Sequence, residues 1–209
     1  MISDFPTNAR LYGILDLGYV QELEAAETTR RMIDGGIDIL QLRWKNSNED
    51  QVAALAEKIY PITKSADVPL VINDYPSLAG DGAHIGQDDG TLAKAREEAG
   101  TGKFIGRSTH SLAQAEAAME EGADYIGFGP LFATPTKPGR PAIGLDDIAE
   151  VHHRVTLPIF CIGGIKLENL SEIVEAGARR VVIVSGILQA KDIAAYTRAA
   201  KALLPPLED

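Results

Sequence analysis

Short β-rich apolar runs alternate with helical patterns along the whole chain, which is the signature of parallel βα units rather than of hairpins. The runs predict strands over residues 10–16, 38–43, 69–73, 83–85, 103–107, 125–128, 158–162 and 180–184. Between them, apolar positions recur at helical spacing, as in Leu112, Ala115, Ala118 and Met119, or Leu167, Leu170, Ile173 and Val174. A repeated punctuation supports the division: Gly35-Gly36-Ile37-Asp38, Gly122-Ala123-Asp124-Tyr125 and Gly177-Ala178-Arg179-Arg180 each end a helix and launch a strand. Eight such units in 209 residues predict one α/β domain over residues 1–209, a (β/α)8 TIM barrel in preference to a doubly wound open sheet.

A closed barrel places its chemistry at the strand C-termini, so the segments that follow the strands carry the functional information. After the second strand, Gln41, Arg43 and Lys45 lie two apart and form one polar, doubly cationic row in an extended segment. A solvated strand end is the competing account of that row. The third strand ends in Asn73-Asp74 and the fourth is followed by Gln87-Asp88-Asp89. Neighbouring strands would bring Asp74 and Asp89 together as a pair suited to Mg2+, which binds through few carboxylates and the oxygens of a substrate phosphate. A turn role for Asp74 and a helix-cap role for Asp89 stand beside that reading.

On the other side of the ring, Gly163-Gly164-Ile165 and Ser185-Gly186 offer accessible backbone N–H groups and a helix start, the usual barrel arrangement for a phosphate. Glycines that only make tight turns would look the same. The long segment 129–141 carries Thr134, Thr136, Lys137 and Arg140 and could close over anions. Ser108, Thr109 and His110 add hydroxyls and a candidate base after the fifth strand, whereas His84 reads as a hydrogen-bonded core residue and His152 and His153 as helix residues far from the rim. Strands three and seven are opposite in an eight-stranded ring. The result is two facing anion sites, one cationic with metal ligands for a diphosphate, the other of neutral donors for a monophosphate.

Charge and composition narrow the partners. A net charge of -10 removes the basic field that nucleic acid or an anionic membrane requires, so an anionic substrate must meet local cations. Cys161 is the single cysteine and lies in an apolar run, which predicts a buried thiol rather than a disulfide or a nucleophile. Residues 1–7 lack a secretory pattern and no apolar stretch reaches membrane-spanning length, which points to the cytoplasm. Homo-oligomerisation is left open by these features.

The stretches Gln41-Leu42-Arg43-Trp44-Lys45, Val71-Ile72-Asn73-Asp74, His84-Ile85-Gly86-Gln87-Asp88-Asp89, Thr134-Pro135-Thr136-Lys137, Ile162-Gly163-Gly164-Ile165 and Val184-Ser185-Gly186 stand in an order that resembles the thiamine-phosphate synthase family. The resemblance runs from about Leu11 to Leu188. It implies a transferase that joins hydroxymethylpyrimidine diphosphate to thiazole phosphate by a Mg2+-assisted dissociative substitution. It further implies that Gln41, Arg43, Lys45, Asn73, Ser108 and Lys137 contact the pyrimidine diphosphate, with Arg43, Lys45, Lys137 and Ser108 catalytic. Asp74 and Asp89 would hold Mg2+, and Thr134, Thr136, Gly164, Val184 and Ser185 would meet the thiazole phosphate. Two departures stand out: a short stretch between Asp74 and His84, which predicts an abbreviated third helix, and Arg107 where a small apolar residue is usual. A thiazole tautomerase of the same superfamily, using His110 as acid or base, and a non-catalytic phosphometabolite-binding barrel are the alternatives.

Overall fold

The computed structural model describes residues 5–134 and 141–207. Its eight strands are β1 (Leu11–Asp16), β2 (Ile39–Arg43), β3 (Leu70–Asn73), β4 (Gly82–Ile85), β5 (Phe104–Thr109), β6 (Tyr125–Phe128), β7 (Ile159–Ile162) and β8 (Val181–Ile183). They close into a parallel barrel in sequence order, β8 pairing back onto β1 through Tyr12 and Val182. Helices α1 (Ala25–Asp34), α2 (Glu49–Ser65), α3 (Leu92–Ala99), α4 (Leu112–Glu120), α5 (Ile148–Arg154), α6 (Leu167–Glu175), α7 (Ser185–Leu188) and α8 (Ile193–Leu203) cover the outside. Every expected strand is present, with bounds shifted by at most two residues, and the open-sheet alternative is excluded by the closure.

The repeated glycine motif works by a specific piece of geometry. Gly36, Gly122 and Gly177 all have positive φ, and the residue after each donates to a carbonyl in the last turn of the preceding helix: Ile37 to Met32, Ala123 to Ala118 and Ala178 to Ile173. In two of the motifs the following aspartate then ties the strand to its neighbour. Asp38 accepts from the backbone of Arg10 and Leu11, and Asp124 from Ile105. As expected from its length, the segment between β3 and β4 holds only a 3-10 turn, Pro76–Leu78, in place of a full helix.

Two apolar layers follow from strand alternation. Outward residues such as Leu11, Leu40, Ile72 and Ile183 pack against the helices, while Tyr12, Ile14, Ile39, Val71, Phe104, Tyr125, Phe160 and Val182 fill the barrel. Phe5 closes the N-terminal end, stacking on Tyr125 at 5.0 Å and meeting Phe104 edge-on at 5.2 Å. Gly106 is what makes room for the Tyr125 ring, since a Cβ there would lie 2.1 Å from it. The buried thiol of Cys161 is pushed up to about 12 by burial, as an inert core residue requires. His152, on α5, is held down to about 4 by burial and by the Arg179 and Arg180 charges, and takes no part in the mouth.

Candidate active site

The inward-facing alternation continues past the apolar layer to the C-terminal mouth, where a cavity opens above Tyr12, Tyr125 and Phe160. Its walls include Gln41, Arg43, Asn73, Ser108, Thr134, Gly164, Val184 and Ser185, so most of the expected site residues face one space.

On β2, Arg43 pairs with Asp16 of β1 in an ion pair whose side chains are 11% and 3% exposed. Asp16 Oδ1 also accepts from the backbone of Gly18 at 2.8 Å, so its carboxylate is fixed at both oxygens and holds the guanidinium over the cavity. Sequence reasoning overlooked Asp16. It shares a strand face with Tyr12 and Ile14, and that period-two spacing was the available signal. Gln41 is buried below Arg43 and donates to the Tyr12 hydroxyl at 2.9 Å. Trp44, between the row members, packs against the outer core.

Lys45 leaves the strand and is half-exposed on the rim, outside the cavity wall, where its ammonium pairs with Asp74. Asp74 stands at positive φ, uncommon for a residue with a side chain, and its carboxylate faces Lys45 and Asp89. Burial raises the Asp74 carboxyl above its ordinary range, the Lys45 charge opposes this, and the neighbouring Asp89 raises it again. Asp89 accepts from the backbone of Gly86 at 2.7 Å, while Thr91, not Asp89, caps α3. The helix-cap account of Asp89 therefore fails, and its carboxylate instead also braces the turn at Gly86. Two carboxylates facing each other beside a lysine are costly to hold as anions, and a shared divalent cation relieves that cost. Among the described residues no cluster of three or more protein acids, histidines or cysteines forms, so a metal here would draw its other ligands from water and a substrate phosphate, which is the habit of Mg2+.

Ser108 and Thr109 lie within β5 rather than after it. Arg107, one position earlier, points away from the cavity and donates to the carbonyls of Gly90 and Gln87, bracing the loop that carries Asp89. His84 is hydrogen-bonded, as expected, but it also lines the cavity, with Nε2 2.9 Å from Ser108 Oγ. His110 is tied through Nδ1 to the carbonyl of Gly129.

The opposite wall is made of backbone. Gly163 and Gly164 both have positive φ, and the β6 loop runs alongside them: Leu131 donates to Ile162 O at 2.9 Å and Phe132 to Gly163 O at 3.1 Å. A Cβ on Gly164 would sit 2.6 Å from the Phe132 Cβ, so glycine is required both by conformation and by space. Ser185 opens α7, in which the N–H groups of Ile187 and Leu188 donate to the carbonyl of Val184. Thr134 joins this wall. Thr136 and Lys137 lie outside the described residues, as does Arg140.

The chain matches the family model described as thiamine monophosphate synthase over residues 11–187. It is 43% identical over 201 residues to a thiamine-phosphate synthase of Thermus thermophilus, covering 93% of this chain and 95% of the relative. A thiamine-phosphate synthase of Chloroflexus aurantiacus is 38% identical over 200 residues, covering 93% and 92% respectively. Among solved structures, the thiamine phosphate pyrophosphorylase of Pyrococcus furiosus superposes with a TM-score of 0.85 at 28% identity, over 94% of this chain and 96% of that one. A 3-hexulose-6-phosphate synthase from Salmonella typhimurium, at 19% identity and a TM-score of 0.67 over 93% and 98%, shares the fold alone.

Proposed function

The chain belongs to the thiamine monophosphate synthase family and has thiamine-phosphate synthase activity, a transferase reaction; from this premise we propose how its barrel mouth divides the work. The β2–β4 side takes the pyrimidine diphosphate. Arg43 and Lys45 face the departing diphosphate, Lys137 would join them as the family resemblance implies, and Gln41, Asn73 and Ser108 hold the pyrimidine end. The β7–β8 side takes the thiazole phosphate on the N–H groups and hydroxyls of Gly164, Val184, Ser185, Thr134 and Thr136.

The observation that carries this reading is the Lys45, Asp74 and Asp89 group on one rim, set across the cavity from a wall of neutral donors. Asp74 and Asp89 would hold Mg2+, which when bound supplies positive charge to the leaving diphosphate. In the reaction the bond from the pyrimidine methylene carbon to the diphosphate oxygen breaks, and the thiazole nitrogen bonds to that carbon. No protein nucleophile or general base is needed. The task of the protein is to neutralise the departing charge with fixed cations and to hold the two rings in line. The ion pair with Asp16 keeps Arg43 in place before substrate arrives, so little reorganisation accompanies the step.

The test is an assay of purified protein with both substrates, following thiamine phosphate and diphosphate. Product should form in Mg2+ and fall to background in excess chelator. Full turnover in chelator would overturn the metal role of the two aspartates.

A further inference from the structure

Beneath the diphosphate side, three rings from separate strands form a line of polar contacts inside the barrel: Tyr12 of β1, Tyr125 of β6 and His84 of β4. Gln41 Nε2 donates to Tyr12 Oη at 2.9 Å, Tyr12 Oη is 3.0 Å from Tyr125 Oη, that oxygen is 3.1 Å from His84 Nδ1, and His84 Nε2 is 2.9 Å from Ser108 Oγ. The line begins and ends on residues that face the cavity. The charge-neutralising chemistry of the proposed reaction uses none of the three rings.

Proton counting gives the line a direction. Each phenol and hydroxyl carries one proton, and a neutral imidazole carries one on either nitrogen. Burial holds both phenols far above their ordinary range, so they stay protonated. With the Gln41 amide donating, Tyr12 passes its proton toward Tyr125, Tyr125 toward His84 Nδ1, and His84 donates from Nε2 to Ser108. Ser108 then has its own proton to offer to the cavity, and Gln41 has its amide oxygen. Reversing one link forces the reversal of all of them, including a flip of the Gln41 amide. The two ends are therefore always complementary, one a donor when the other is an acceptor.

We propose that Tyr12, Tyr125 and His84 are positioning residues that hold Gln41 as an acceptor and Ser108 as a donor, and that this pair selects the pyrimidine by its exocyclic amino group and a ring nitrogen. The proposal rests on the placement of the pyrimidine on the β2–β4 side. An aminopyrimidine presents an N–H donor and, across the ring, a lone-pair acceptor, which matches the two walls. A ring with acceptors at both places leaves Gln41 facing an unpaired partner in a buried site, a mismatch that such sites penalise strongly.

Binding is the proper readout, because the amino group also feeds electrons to the reacting carbon. The dissociation constants of the pyrimidine diphosphate and of an analogue with methyl in place of the amino group are measured in Mg2+ without thiazole phosphate. Wild-type protein should prefer the amino compound by about 10-fold or more, the equivalent of one hydrogen bond. Tyr12→Phe and Tyr125→Phe should each bring the ratio toward one while leaving thiazole-phosphate binding unchanged, a pattern that general loosening of the barrel does not produce. A folded variant that keeps the wild-type ratio overturns the relay, and a wild-type ratio of one overturns the selectivity. Should neither variant fold, the 15N spectrum of histidine-labelled wild type decides: His84 must carry its proton on Nε2 in the pyrimidine complex, and the other tautomer or an imidazolium refutes the proposal. Turnover of the wild type with both substrates is assayed in parallel, so that failure of the synthase reading is seen separately from failure of the relay.

Discussion

The two sides of the barrel mouth are polar for different reasons. On the β2–β4 side the polarity is in side chains: Arg43 against Asp16, and Lys45 against Asp74 with Asp89 beside it. On the β7–β8 side it is in the main chain, where Gly163 and Gly164 turn through positive φ and α7 begins at Ser185. The first construction supplies full charges that can follow a developing negative charge, and any one of them can be deleted by substitution. The second supplies fixed partial charges, indifferent to deletion of a side chain but intolerant of adding one. A diphosphate that leaves needs the former, whereas a phosphate that merely anchors is served by the latter.

Substitutions can break or sharpen that contrast. The largest effect is expected from the acids: Asp74→Asn or Asp89→Asn should each lower kcat by about 100-fold or more, as loss of a metal ligand or main electrostatic stabiliser does. A titration of rate against Mg2+ should show part of the loss recovered at high metal. Wild-type rates in both variants would return the acids to a structural role. Next, Lys45→Ala should cost about 10-fold or more in kcat in single-turnover experiments, with weaker pyrimidine diphosphate binding, because the ammonium is half-exposed and partly screened.

On the opposite side the sensitive position is a glycine. Gly164→Ala adds a Cβ where φ is 68° and Phe132 is 2.6 Å away, so thiazole-phosphate affinity should fall by roughly 10-fold and stability by about 1–3 kcal/mol, read by titration and thermal melting. Ser185→Ala is the mildest. It removes one hydroxyl and leaves the backbone donors, so about 1 kcal/mol of thiazole-phosphate affinity should be lost with pyrimidine diphosphate binding unchanged. If Ser185→Ala weakens the pyrimidine ligand and spares the thiazole ligand, the division of the mouth is wrong.

What sequence alone determined is whatever depends on local pattern. The eight strands were legible because burial on both faces demands apolar β-rich runs, and the helix ends because Gly36, Gly122 and Gly177 occupy a conformation that side chains disfavour. The shortened 3-10 connection followed from chain length between Asp74 and His84. The Gln41, Arg43 and Lys45 row followed from period two, although only the structure moved Lys45 out of the cavity wall and onto Asp74. Tertiary structure alone decided which distant residues share a wall, because closing the ring sets contacts between strands that no spacing along the chain encodes. Asp16 is nearest in sequence to apolar residues, and its ion pair is visible only when β1 lies beside β2 and Arg43 comes within reach. Tyr12 and Tyr125 are 113 positions apart and read as core aromatics until barrel closure sets their hydroxyls 3.0 Å from each other. Arg107 shows the converse: sequence marked it only as a departure from the family pattern, and the alternation of side chains along a strand placed it outside the cavity, against the Gly90 and Gln87 carbonyls.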